Sequence, residues 1–164
     1  MKEQTKSPNE ISTTPKRILI PTDGSENAAR AASVAIEYAR KFEAEVFVLH
    51  VIAIPARTLA LVEGGMGSLE SSETREYFEL ARQKAKTIVD GVVKSAEARD
   101  VNATGLIIEH AFTVVETIVD QATNYKIDLI VMGTRGLTGF KKLLIGSVSS
   151  GVVNHAHCPV LVIR

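Results

Sequence analysis

Residues 128–150 read DLIVMGTRGLTGFKKLLIGSVSS. Asp128 to Met132 is an apolar run with no polar alternation, the pattern of a strand covered on both faces, and such strands belong to parallel sheets. It runs straight into Gly133. Gly136 and Gly139 follow, and Gly146-Ser147 stands where a new helix begins. As spacing this is G-x2-G-x9-G-S. Glycines let backbone N–H groups turn inward and approach an anion closely. A helix N-terminus adds unpaired donors and the positive end of a dipole. The stretch therefore reads as a phosphate cradle at the carboxyl end of a strand. A tight strand-to-helix connection is the bland alternative, but it requires fewer glycines than these.

The rest of the chain repeats the same grammar. Arg17 to Thr22 (RILIPT) is a short buried strand with Pro21 at its end, where the missing N–H costs no ladder bond. Asp23-Gly24-Ser25 forms a turn with Ser25 as N-cap. A helix is expected over Glu26 to Phe42, with Ala28, Ala32, Ala35, Ala39 and Phe42 on one face. Glu45 to Val51 is a second strand. Ile52 to Leu69 holds Pro55 and Gly64-Gly65-Met66-Gly67 and reads as a long functional loop. Helices over 72–99, 113–124 and 147–155 alternate with strands over 104–109, 128–132 and 159–163. Strand–helix alternation of this kind gives an α/β fold, an open parallel sheet of five strands with helices on both faces. Ligands sit outside the carboxyl ends of such strands, where the strand order reverses. The first and fourth strands meet at that point, so Asp23 and Gly133 face one crevice.

Composition narrows the function. The chain has 164 residues, enough for one domain, with Met1 to Pro15 as a polar flexible tail and 16–164 as the domain. Lys plus Arg equal Asp plus Glu at 19 each, which speaks against a nucleic-acid partner. Cys158 is the only cysteine, so no internal disulfide forms, and a cytoplasmic setting is expected. No apolar run reaches the length of a membrane span, so no membrane insertion is expected.

Other chemistries find little support. There is no G-x4-G-K-[ST] and no G-x-G-x-x-G after the first strand, so neither a P-loop nor a dinucleotide site is indicated. No G-x-S-x-G elbow exists for a hydrolase. His155-Ala156-His157-Cys158 lacks distant partner cysteines and is weak as a zinc site. These groups, with His50 and His110, read as structural. Asp23 suits a ribose hydroxyl or a magnesium ion, but also suits the cap of the following helix. Arg135 sits inside the loop, where a guanidinium can grip phosphate oxygens, whereas Lys141 and Lys142 read as solvent-facing.

Three segments together resemble the universal stress protein family: Arg17 to Ser25, Asp128 through Gly146-Ser147-Val148, and Cys158 to Val162. The resemblance covers Lys16 to Arg164. It implies an adenine-nucleotide alpha-hydrolase-like sandwich with strand order 3-2-1-4-5. The glycine spacing is similar to that of the branch that binds ATP, with ADP or AMP as relatives of that ligand and Mg carried on the phosphates. By position, Asp23, flanked by Pro21 and Thr22, matches the contact to the adenosine end, and Val51 matches a backbone contact to adenine. Met132 and Gly133 border ribose and phosphates. Arg135 and Gly136, with Gly139 beyond, match the first half of the phosphate loop, and Gly146, Ser147, Val148 and Ser149 the second. The resemblance also implies a homodimer paired through Pro159 to Ile163, an unknown protein partner and a role in stress response. One departure stands out. Relatives often carry Gly and Pro where this chain reads Glu109-His110-Ala111-Phe112-Thr113. A slow ATPase, or an interaction module with a vestigial site, are the competing expectations. No catalytic residue is indicated.

Overall fold

A computed structural model describes residues 14–134 and 145–164. Its strands are β1 (Arg17–Pro21), β2 (Glu45–Ala53), β3 (Ala103–Ala111), β4 (Leu129–Gly133) and β5 (Val160–Ile163). Its helices are α1 (Glu26–Phe42), α2 (Ala56–Glu63), α3 (Ser72–Glu97), α4 (Val114–Asn124) and α5 (Ser147–His155). All strands run parallel in the order β3-β2-β1-β4-β5, as expected. The expected tail over residues 1–15 falls almost wholly outside the described residues. Among those described, no helix is long and apolar enough to cross a membrane.

β1 lies at the centre because Ile18, Leu19 and Ile20 are wholly buried from both sides. Removing each such side chain from water contributes about 1.5–3 kcal/mol. Successive residues point to opposite faces, and the helices divide accordingly. Ile18, Ile20, Val46, Val48 and Val131 meet α1 and α3. Leu19, Phe47, Leu49, Ile130 and Met132 meet α4 and α5. The alanines of α1 (Ala28, Ala31, Ala32, Ala35, Ala39) let it lie flush on the sheet. Phe42, expected on that stripe, is only half-buried. Asp128 fixes the start of β1: its Oδ2 accepts the amides of Lys16 and Arg17 at 2.8 and 2.9 Å.

The stretch 52–69 corrects an expectation. It is not one loop: β2 continues to Ala53, and Ala56–Glu63 forms α2. The glycine cluster dominates the local composition, yet ARTLALVE ahead of it is rich in good helix formers. Leu59 supplies the tertiary reason by packing on Ile52, Ile54 and Phe78. No residue of α2 is fully buried, so this helix rests lightly on the body.

Candidate functional site

The site is assembled at the carboxyl ends of β2, β1 and β4. β1 pairs β4 with Ile18 beside Leu129 and Leu19 beside Ile130. Carried on along both chains, that register sets Pro21 level with Met132 and Thr22 level with Gly133. β2 flanks β1 on the other side, bonded by the Thr22 amide to the Leu49 carbonyl at 2.8 Å. The expected set Pro21, Thr22, Asp23, Val51, Met132 and Gly133 is thus brought to one crest of the sheet. Arg135, Gly136 and Gly139, and also Lys141 and Lys142, lie outside the described residues.

The turn after β1 is tightly organised. The Gly24 amide donates to Thr22 Oγ1 at 3.3 Å, the Ser25 amide to Asp23 Oδ1 at 3.0 Å, and the Ala28 amide to Ser25 Oγ at 3.2 Å. Gly24 has φ +80°, and a Cβ there would stand 2.7 Å from Ile88. Asp23 therefore helps build the α1 cap, the bland role foreseen for it, while remaining half-buried at the crest. Among the described residues no cluster of three metal-ligating groups occurs.

Beneath the turn lies His50, the residue before Val51. Its Nδ1 is buried and lacks a hydrogen-bond partner. Burial lowers its pKa, against the opposing pull of the Thr22 backbone and the Asp23 charge, and Lys84 lowers it further. The ring is thus held toward its neutral form. Val51 itself is half-buried on the other face, packed in the α4/α5 core beside Leu19 and Leu49.

Gly133 carries a constraint that spacing did not reveal. A Cβ on it would stand 2.9 Å from the Asn27 carbonyl carbon and 3.0 Å from the Ala28 nitrogen. The first turn of α1 thus crosses directly over the end of β4, and glycine is required for that approach whatever binds there.

The start of α5 is joined to the end of β4 at Thr134. Its carbonyl accepts the Gly146 amide at 2.7 Å and Ser149 Oγ–H at 2.9 Å, and its own amide donates to the Ile163 carbonyl at 2.8 Å. Ser149 is only 2% exposed, whereas Ser147 is exposed and Val148 half-buried. The N-cap Gly146 has no side chain to offer, unlike Ser25, Ser71 and Thr113, which cap α1, α3 and α4. The first amides of a helix have no intrahelical acceptor, so α5 presents donors and a positive dipole end here.

On the β3 side the departure from the glycine–proline pattern has a visible consequence. His110 takes φ +56°, the left-handed region, and its ring lies 3.9 Å from that of Phe78 between centroids. Phe112 is 70% exposed. Arg82 grips Glu109 through Nε and Nη2 at 2.6 and 2.8 Å, and this bond lowers the Glu109 pKa. The rim on this side is therefore bulkier than glycine and proline would leave it.

The two histidines at and just past the end of α5 lie against backbone carbonyls. His155 Nδ1 lies 2.8 Å from the Gly151 carbonyl, and His157 Nε2 lies 3.2 Å from the Ile127 carbonyl. Burial, then the nearby Asp128 charge, push the Cys158 thiol up to about 11. A neutral thiol is neither a ready nucleophile nor a ready metal ligand. Sequence reasoning missed the Thr134 junction, the Gly133–α1 approach and the Phe78–His110 stack. Only the Gly-Ser-x-Ser of residues 146–149 hinted at the first; the other two join residues with no linear signal.

Comparison with known proteins agrees with this frame. The universal stress protein family matches residues 14–164. Universal stress protein MJ0531 of Methanocaldococcus jannaschii is 36% identical over 149 residues, spanning 91% of this chain and 82% of the relative. The solved structure of MJ0577, from the same organism, superposes with a TM-score of 0.73 at 30% identity, covering 90% of this chain and 94% of that one. A universal stress protein of Archaeoglobus fulgidus in complex with dAMP shares the fold with a TM-score of 0.62 at 22% identity, covering 94% of this chain and all of its own. The family model and these relatives span almost the whole sequence, and the chain is a member of the universal stress protein family.

Proposed function

We propose that this chain binds an adenine nucleotide, ATP foremost with ADP or AMP as related ligands, and works as a homodimeric regulator in stress response rather than as a catalyst. One observation carries the reading. The uncapped N-terminus of α5 is tied to the end of β4, beside the crest formed by Pro21, Thr22, Asp23, Met132 and Gly133. The amides of Ser147 and Val148 would meet phosphate oxygens, as helix N-termini do. Asp23 and the Val51 backbone would meet the adenosine end. Arg135, Gly136 and Gly139 complete the proposed phosphate loop on sequence grounds alone. Magnesium would ride on the phosphates, with the Asp23 carboxylate as a candidate protein ligand. The family match and a fold neighbour in complex with dAMP support the nucleotide class.

Hydrolysis is proposed as weak or absent, because phosphoryl transfer to water needs a group that orients the water. Asp23 is taken up at the adenosine end and in the α1 turn. The dimer is proposed to form through β5. Val160-Leu161-Val162-Ile163 is an apolar sheet edge without a central charge or proline, and such edges pair. A cytoplasmic setting is proposed, and a chain with a single cysteine and so no internal disulfide suits it. The lightly held α2 would settle on the bound nucleotide, and a protein partner would read that surface.

The test is direct. Protein purified without added nucleotide is denatured and its supernatant analysed by mass spectrometry, and the stripped protein is titrated with MgATP in a calorimeter. Co-purified adenine nucleotide and saturable binding are expected. Neither one, with the fold intact, refutes the reading in favour of an interaction module. Turnover above an Asp23→Ala background would instead favour the slow ATPase. Val162→Lys should convert a dimer to a monomer by light scattering, and a wild-type monomer would remove the dimer.

A further inference from the structure

We propose that Ser149 is a positioning residue of the nucleotide site: its hydroxyl holds the first turn of α5 against Thr134 and so aims the Ser147 and Val148 amides at the phosphates. The inference rests on the nucleotide reading and reassigns a side chain that spacing alone groups with the ligand contacts. Ser149 is 2% exposed, and its Oγ–H points inward to the Thr134 carbonyl at 2.9 Å. A hydroxyl so placed is not presented to a ligand in the crevice. It shares that carbonyl with the Gly146 amide at 2.7 Å. The Thr134 amide in turn donates to Ile163 at the end of β5. The backbone of one residue thus pins three elements: the end of β4, the end of β5 and the start of α5.

The physical consequence is preorganisation. Residues 134 and 146 stand on either side of the glycine-rich stretch in sequence, and they are directly bonded. A helix N-terminus attracts an anion only within about its first turn, so a small swing of α5 would misalign its amides. The cap residue is a glycine with no side-chain bond to hold that turn. Val148 and Val152 press α5 onto the sheet, but apolar contact is not directional. The Ser149 hydrogen bond supplies the missing direction.

The test uses the whole chain and the variants Ser149→Ala and Ser149→Thr, each checked by thermal melting. Ser149→Ala leaves the Thr134 carbonyl bonded to the Gly146 amide, so it should fold. In nucleotide-free protein, amide exchange at Gly146 measured by NMR should quicken about tenfold in Ser149→Ala, and Ser149→Thr should restore it. Affinity for MgATP should fall about tenfold in Ser149→Ala, the equivalent of one aligned bond. Adenosine, which lacks phosphates, should bind within twofold of wild type, and Ser149→Thr should recover ATP. Unchanged Gly146 exchange in the nucleotide-free variant overturns the positioning role and points to a direct contact. ATP affinity within twofold of wild type, or an equal loss for ATP and adenosine, overturns it as well. A wild-type chain that binds no ATP defeats the nucleotide reading itself, and this proposal with it. That result is distinct, because it appears in the unaltered protein.

Discussion

Replacing Gly133 with alanine is the most telling single perturbation, because this residue stands in two arguments at once. Its place at the start of G-x2-G suggests phosphate. Its geometry says that α1 lies on it: the added Cβ would meet the Asn27 carbonyl carbon at 2.9 Å and the Ala28 nitrogen at 3.0 Å. Those are backbone atoms of a helix turn capped by Ser25, and α1 packs flush on the sheet through its alanines. No rotamer change relieves the contact. Overpacking commonly costs about 1–3 kcal/mol, and rigid neighbours place this case in the upper half, at about 2–3 kcal/mol. For a chain of this length that lowers the melting temperature by about 4–12 °C. Urea melts at matched slope would give the free energy, and calorimetry the temperature. A Gly133→Ala variant within about 0.5 kcal/mol of wild type, the range of neutral surface changes, would show that α1 is not seated as described. The consequence reaches the function. Loss of ATP binding in a Gly133 variant does not by itself prove phosphate contact, so adenosine must be titrated beside it.

Three further outcomes are expected. Gly91→Ala lies inside α3 with nothing within 4 Å of the new Cβ. It should therefore stabilise the chain by about 0.5–1 kcal/mol, a gain read from the same urea melts. Asp128→Ala removes the acceptor of the Lys16 and Arg17 amides, and should cost about 1.5–3 kcal/mol with little effect on nucleotide affinity. Cys158, lifted from 9.0 to about 11 in the folded chain, holds its proton more tightly folded than unfolded. Its contribution to stability is therefore complete below about pH 9 and is lost as pH rises toward 11. A Cys158→Ser variant should flatten that decline in melting temperature. Alkylation of the native thiol at pH 7.5 should be slow until the chain unfolds.

Much of this protein was legible from local pattern. The apolar runs at 18–20, 46–49 and 129–132 suit strands covered on both sides, and all three are strands. The alanine stripe of 28–39 announced a helix pressed close to a sheet, and Ser25 marked a helix start that the structure caps as anticipated. The resemblance to the family supplied the strand order, which periodicity alone does not reach. The helix at 56–63 escaped because its stability comes from Leu59 resting on Ile52, Ile54 and Phe78, a contact with no trace in its own propensity once Gly64 and Gly65 stand beside it.

The amino-acid order by itself determined which segments avoid water, where glycine breaks the rhythm and hence where an anion is invited. Those are properties of neighbours along the chain. What only the folded chain decided is which groups remain free to serve that invitation. Gly133 is needed by α1, Asp23 is shared with the Ser25 amide, and the Ser149 hydroxyl turns inward to Thr134. Each of these commitments joins side chains or backbone to a partner that packing alone selects, because a hydrogen bond or a van der Waals contact is satisfied by proximity in space and not by order in sequence.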